Sequence, residues 1–396
     1  LRFPRLAGFR VGQPFLTIHI MSKISNVLSK LTARFNSDDV ITFKKKDGFA
    51  EVKSWAHTGS PELNWNLRTY GLPTGIIEIA GRSRSGKTTE GLEAMKYFLD
   101  ENPETGLACI LSSENRDNKD YAIQLGIDPS RVVIIKIHYV EQMFVRVSKF
   151  VKDAHALFEE AGIKEKPKFF FLWDSLGATL SKAEYDALRA NVENMDKAAA
   201  KGEELEKLQE PKMMAFAKSA KMFAKGLVGL CYTNVIHFVI LNHQYEQNVM
   251  GVTSRKSTGG EWVELMPTLR LQMRVTEMKK IDDVEVAQIS EVKVIKNDFG
   301  SRQKTYIRIL LGYGIILSEE DINYAVERGI IQKPSKTVYT ALNGKLRWKS
   351  DRELYQLYYD QNPLLDTLGK VITASRHRDL REWRKKMMEE AEVAEE

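Results

Sequence analysis

The sequence predicts an α/β protein built on a largely parallel, doubly wound sheet, and three observations carry that prediction. Between about residues 64 and 315, apolar β-rich runs alternate with helical patterns; the runs are GIIEIAG, GLACILSS, RVVIIKI, KFFFLWDS, VIHFVILN, LRLQMRV and EVKVIKN. Strands separated by helices imply parallel pairing with helices on both faces. Asp174 follows five consecutive apolar residues, as expected at the end of a strand buried on both sides. The strand IIEIAG runs into a glycine-bearing turn and then a helix with Leu92, Met95 and Phe98, a strand–loop–helix unit of this class.

Each further element has its own local reason. Residues 1–20 carry arginines and no acid, but Pro4 and Pro14 interrupt any amphipathic helix. They fit a non-native or translated upstream leader better than a targeting peptide. Residues 22–36 place Ile24, Val27, Leu28, Leu31 and Phe35 on one helical face, so 21–60 is read as an N-terminal helix and oligomerisation segment. That helix packs either on its own domain or on a neighbouring subunit. Residues 61–315 form the core. Within it, 181–210 reads as a charged helical insertion, and 213–227 as a helix with Met213, Phe216, Ala220, Phe223 and Leu227 inward. Its Lys218, Lys221 and Lys225 fall on the solvated face. Residues 316–375 form a small α+β C-terminal domain in which TVYTAL and KLRW flank Asn343-Gly344, a hairpin signal. Residues 376–396 read as a charged helical tail ending EEAEVAEE.

Composition bounds the class. A chain of 396 residues suits one large domain with a smaller companion. Hydrophobic content of 43% and charged content of 28% are ordinary for a globular protein, and no apolar run reaches the length of a membrane span. Cys109 and Cys231 each lie in an apolar run and read as buried thiols of a reducing compartment, not as a disulfide or metal framework. The net charge of +6 fits nucleic-acid partners only weakly, and a solvated surface explains it equally well.

The chemistry concentrates in GRSRSGKTT, residues 81–89. Gly81 and Gly86 let the backbone of Arg82, Ser83, Arg84 and Ser85 turn its N–H groups towards phosphate, and the following helix N-terminus adds positive potential. Lys87 supplies a point charge for the β- and γ-phosphates, Thr88 a hydroxyl ligand for Mg²⁺, and Thr89 belongs to the same cradle. Asp174, at the end of a buried strand, can hold the metal through water. Glu114, just past ACILSS, is the candidate base that orients water, although a strand-end glutamate taken alone is as well read as a surface or capping carboxylate. ATP and Mg²⁺ are the cofactors these residues predict.

With these residues in view, the chain resembles the RecA recombinases, and among them the UvsX-type phage recombinases. LNWNLRTYGLPTGIIEIAGRSRSGKTT is similar to that family's approach to its phosphate loop, SSENRDNKDYAIQLGIDPSRV to its catalytic-glutamate segment, and WDSLGA to its metal-binding strand through Asp174 and Ser175. The resemblance implies that Glu114 activates water and that Tyr121 packs against adenine. It makes Asn242-His243 the polar pair that senses γ-phosphate, with His243 the UvsX form of a position that is Gln in RecA. It also implies that Lys296 reaches across a subunit interface to a neighbour's ATP. The second lysine of that clamp is Asp298 here, and Arg302 or Lys304 stand as substitutes. AVERGIIQKPSKTVYTALNGKLRW resembles the family's small C-terminal domain, and the acidic end its regulatory tail. The likeness spans roughly residues 60–375 and makes the fold a RecA-type ATPase core with a short N-terminal helix and a small α+β C-terminal domain.

After Asn242 and His243 the chain turns polar for about fifteen residues, a length at which loops are functional or disordered. The resemblance places the family's second DNA-binding loop here, disordered without DNA. Arg255 and Lys256 can pair phosphates, while Gln244, Ser254, Ser257 and Thr258 add polar contacts. Met250 can wedge between bases, and Gly251, Gly259 and Gly260 allow close approach. A further DNA loop is expected between Ala178 and Met213, with no residue assignable. The expected function is an ATP-dependent recombinase forming filaments of itself on single-stranded DNA and pairing it with homologous duplex. Single-strand-binding and mediator proteins are further partners, in the cytoplasm of a bacterial host. The alternatives are a DNA helicase on the same core, or a non-catalytic recombination mediator.

Overall fold

The computed structural model describes residues 54–114, 119–201, 215–249 and 252–395. The N-terminal leader and the 22–36 helix lie outside these residues. A short pair, β1 (Trp55–Ala56) and β2 (Leu72–Pro73), brackets α1 (Pro61–Leu67). The main sheet begins with β3 (Gly75–Gly81), followed by α2 (Lys87–Glu101), β4 (Gly106–Ser112), α3 (Lys119–Gln124), β5 (Val132–Lys136), α4 (Val140–Glu160) and β6 (Lys168–Asp174). Then come α5 (Lys182–Lys201), α6 (Ala215–Thr233), β7 (Ile236–Val249), β8 (Val252–Ser257), α7 (Trp262–Leu265), β9 (Leu269–Ile281), β10 (Val284–Asn297), β11 (Lys304–Leu310) and β12 (Gly314–Ile316).

Strand order is β12-β11-β10-β9-β3-β7-β6-β4-β5, with β8 paired to β7. From β9 to β5 every pairing is parallel. The run KFFFLWD shows why. Phe169, Phe171 and Trp173 join one hydrophobic core with α4 and α6, while Phe170 and Leu172 join the other with α2. Alternate residues of a strand face opposite ways, so a strand covered on both sides must be apolar throughout. Helix α4 buries Val140, Met143, Val147, Val151 and Ala154, a stripe at helical spacing. Cys109 and Cys231 are free and buried, and burial pushes the Cys231 thiol up to about 12.

The far edge differs from a wholly parallel sheet: β10, β11 and β12 are antiparallel. Asp282 and Asp283, both at positive φ (51° and 63°), close β9 onto β10 as a tight hairpin, which leaves no chain for a crossover helix. The polar stretch after His243 differs as well. It is an antiparallel hairpin, β7 continuing to Val249 and β8 returning from Val252, with Gln244 opposite Ser257. Val249 pairs with Val252 at its tip end. Its two arms, 244–249 and 252–257, are mostly polar, so no alternation of apolar residues announced them.

Past the sheet lie α8 (Glu319–Glu327), β13 (Ile331–Gln332), β14 (Tyr339–Ala341), β15 (Leu346–Trp348), α9 (Asp351–Tyr359) and α10 (Pro363–Glu395). The expected hairpin forms β14 and β15, with Leu342, Asn343 and Gly344 at positive φ in its turn. The division at 315/316 falls inside β12, whose Ile316 packs with Ala287 and Leu310 of the sheet as well as with Ile322, Leu346 and Trp348. The division at 375/376 falls inside α10. There Leu380 is buried, and buried Arg376 pairs with Glu62 and Asp321. Among the described residues, no helix is long and apolar enough to cross a membrane.

Candidate active site

Strand β3 ends at Gly81, α2 starts at Lys87, and the loop between them requires both glycines. A Cβ on Gly81 would lie 2.4 Å from the Met273 carbonyl oxygen and 2.6 Å from Ser85 Oγ. Gly86 caps α2 at a φ of 92°, where a Cβ would meet Ile309 Cδ1 at 2.4 Å. The Lys87 ammonium donates to the carbonyl oxygens of Gly81 (3.0 Å) and Arg82 (2.7 Å), which holds it across the loop mouth. Burial pulls its pKa down, and the carboxylates of Asp174 and Glu114 oppose that shift. Ser85 Oγ is buried without a hydrogen-bond partner among the described residues, the kind of atom a phosphate oxygen would satisfy. Arg82, Ser83 and Arg84 are exposed at the rim.

Two carboxylates stand beside this loop. Asp174 Oδ2 accepts from Thr88 Oγ1 at 3.4 Å. Its pKa is raised by burial and then by Glu114, against Thr88, Lys87 and His243. Glu114 Oε1 accepts a 2.6 Å bond from Ser175 Oγ and lies 3.1 Å from His243 Nε2. Ser175 is itself fixed: its N–H donates to Ser113 Oγ at 2.9 Å, and Ser113 Oγ donates to the Ser175 carbonyl at 2.7 Å. The adjoining β4 and β6 therefore set the Glu114 carboxylate through side chains at their ends.

The donor set suits ATP with Mg²⁺. Among the described residues, no group of three His, Cys, Asp or Glu side chains could cage a metal. Mg²⁺ needs no such cage, because it is held by one or two protein oxygens plus phosphates and water. Thr88 Oγ1 and Asp174 Oδ2, 3.4 Å apart, could supply those oxygens. Tyr121, half-buried on α3, places its hydroxyl 3.0 Å from Thr89 Oγ1, so the ring is tied to the loop helix.

The polar pair splits. His243 faces Glu114, but Asn242 is fully buried and its Nδ2 donates to Glu78 Oε1 (2.9 Å) and to the Thr258 carbonyl (2.8 Å). Glu78 in turn accepts from Arg270 Nε at 2.7 Å. Sequence reading missed Glu78, Arg270 and Ser113. A carboxylate inside GIIEIAG was the available signal, since a buried charge needs a partner and LRLQMRV supplies one.

Of the expected DNA-contacting residues, Gln244, Ser257, Thr258, Gly259 and Gly260 lie at the hairpin base. Gln244 Oε1 accepts from Gln272 Nε2 at 2.8 Å, and the Thr258 N–H donates to the His243 carbonyl at 3.2 Å. Gly259 sits at a φ of 116°, where a Cβ would press Val263 at 2.7 Å. Ser254, Arg255 and Lys256 lie along β8, with Lys256 exposed; Met250 and Gly251 fall outside the described residues. Lys296 is not brought to its own phosphate loop. It pairs with Arg270, which sits beside Glu78, three positions back from Gly81 and Met273. Its Nζ donates to the Leu265 carbonyl at 2.9 Å and lies 3.5 Å from Asp298, while Lys304 stands 3.8 Å from Glu291.

Comparison with known proteins agrees with this geometry. Residues 22–156 match the RecA N-terminal domain. Protein RecA of Malacoplasma penetrans (strain HF-2) is 25% identical over 337 residues, covering 83% of this chain and 91% of that protein. Protein RecA of Thermotoga sp. (strain RQ2) is 26% identical over 291 residues, 73% of this chain and 72% of its own length. Protein RecA of Chlorobium limicola is 25% identical over 316 residues, 79% and 80% of the two chains. The fold is a RecA-type core with a small C-terminal domain, and the likenesses support a RecA-family recombinase.

Proposed function

We propose that this chain is an ATP-dependent homologous-recombination protein of the UvsX type, which assembles as a filament on single-stranded DNA and pairs it with homologous duplex. One observation carries the reading: Glu114 is gripped by Ser175 and His243 beside Lys87, Thr88 and Asp174, and the strand bearing His243 continues directly into the β7–β8 hairpin. Lys87 and the loop N–H groups bind the phosphates, and Thr88 and Asp174 would hold Mg²⁺, which supplies charge neutralisation when bound. Glu114 orients and deprotonates the attacking water, with Ser175 Oγ steering its carboxylate.

His243 reports on that carboxylate. A change at the His243–Glu114 contact is passed to residue 244 onwards, so nucleotide state biases the hairpin that offers Arg255 and Lys256 to DNA phosphates. Lys296, remote from its own loop, serves a neighbouring copy's nucleotide in the filament. Single-strand-binding and mediator proteins in the host cytoplasm complete the proposed setting. The decisive experiment measures ATPase rate with and without single-stranded DNA, alongside D-loop formation. A rate indifferent to DNA with no D-loop removes this reading. Asp298, close enough to Lys296 to offset its charge, favours the second reading of a mediator that binds ATP and turns it over slowly. That protein would show ATP binding and partner capture without D-loops.

A further inference from the structure

We infer that Glu78 and Arg270 are a positioning pair: they clamp the Asn242 amide in one orientation, and that amide ties the base of the β7–β8 hairpin to the strand carrying the phosphate loop. The inference rests on the recombinase reading for its consequence, though the clamp stands on geometry alone.

Glu78 is 1% exposed and the Arg270 side chain 13%. Charges this deep persist only when paired and hydrogen-bonded. Glu78 uses one oxygen for Arg270 Nε at 2.7 Å and the other for Asn242 Nδ2 at 2.9 Å. The second N–H of that amide goes to the Thr258 carbonyl at 2.8 Å. Two acceptors facing one atom decide which end of the amide is nitrogen.

Adjacent strand residues point to opposite faces, so His243 looks towards Glu114 while Asn242 looks away from it towards Glu78. Thr258 is held from both: by Asn242 through its carbonyl, and by the His243 carbonyl, which accepts from the Thr258 N–H at 3.2 Å. A displacement of His243 therefore works against a fixed post. Without Glu78 and Arg270 the post swings, and the hairpin base no longer follows the nucleotide site.

The test uses Glu78→Gln and the double variant Glu78→Met/Arg270→Met. The single change keeps an oxygen for the Asn242 amide but leaves a guanidinium buried without its carboxylate and endangers folding, whereas the double restores neutrality and removes the acceptor facing Asn242. In nucleotide-free protein, amide hydrogen exchange across 242–258 should quicken about tenfold in the double variant while β3, β4 and β6 keep their protection. The ratio of oligonucleotide affinities with and without ATP, read by fluorescence anisotropy, should fall about fivefold, the scale of one lost coupling contact. ATP affinity should stay within about twofold, because neither residue touches the loop. A folded double variant with unchanged hairpin exchange and an unchanged affinity ratio overturns the inference, as does exchange that rises equally everywhere. If wild-type protein binds DNA identically with and without ATP, the recombinase reading fails instead, and the exchange data alone judge the clamp.

Discussion

Replacing Glu93 with Gln removes a titration from the middle of the helix that begins at the phosphate loop. Glu93 is buried, and its carboxyl is pushed up to about 7 by that burial, with the Ile315 N–H bond and Lys96 opposing and Asp366 and Asp100 reinforcing. An unfolded glutamate titrates near 4.5. Because the folded value is the higher one, the stability Glu93 contributes is complete below the unfolded value, falls as pH rises between the two, and is gone above about 7. The span corresponds to about 3 kcal/mol lost between acid and neutral pH. Glutamine keeps an oxygen for the Ile315 N–H, and any misfit of its NH₂ group is the same at every pH. The difference in unfolding free energy, variant minus wild type, should therefore climb by about 3 kcal/mol from pH 4.5 to pH 8. Urea melts followed by tryptophan fluorescence measure it. A difference that stays flat with pH, or moves in favour of wild type as pH rises, refutes the reasoning.

Other outcomes follow from the same contacts. Glu114→Gln should lower ATP turnover by about 10²- to 10⁴-fold while ATP-dependent DNA binding persists, and an intact hydrolysis rate would show that another group activates water. Arg255→Ala with Lys256→Ala should weaken single-stranded DNA binding and flatten its salt dependence by a slope of about 1.4, leaving nucleotide affinity unchanged. An unaltered salt slope would remove both from the phosphate contact. Trp173→Ala empties a fully buried site in the strand that ends at Asp174 and removes the indole N–H that donates to the Thr179 hydroxyl at 3.1 Å. It should cost about 3–5 kcal/mol in denaturant melts, and a loss under about 1 would mean the site collapses freely.

Strands buried on both faces were legible because short apolar runs, rich in β-branched and aromatic residues and bounded by turn signals, recur between helical patterns, as at 169–174. The strand–loop–helix at 75–101 was legible because few residue types suit such a turn at Gly81 and Gly86. The hairpin at 244–257 was not, since a stretch that is polar at nearly every position lacks the alternation that betrays a half-buried strand. The antiparallel edge was hidden for a similar reason: β11, with KTYIRIL, looks like any short strand, and only the Asp282-Asp283 turn fixes its neighbours' direction. Asn242 shows the limit most clearly. Sequence places it beside His243, but only the positions of Glu78 and Thr258 reveal that its amide faces inward.

Strands β10 and β11 supply two cores at once. Val292, Val294, Ile307 and Ile309 pack on the phosphate-loop side, while Ala287 and Leu310 pack under α8, α9 and β15. Strand β10 is separated from β3 by β9 alone. The C-terminal portion therefore has no slack tether on which to swivel: it is riveted into the same plate as the nucleotide loop. A load applied to α8 or α9 by a binding partner would arrive at β3 through β10 and β9, with two strands to cross and no linker to absorb it.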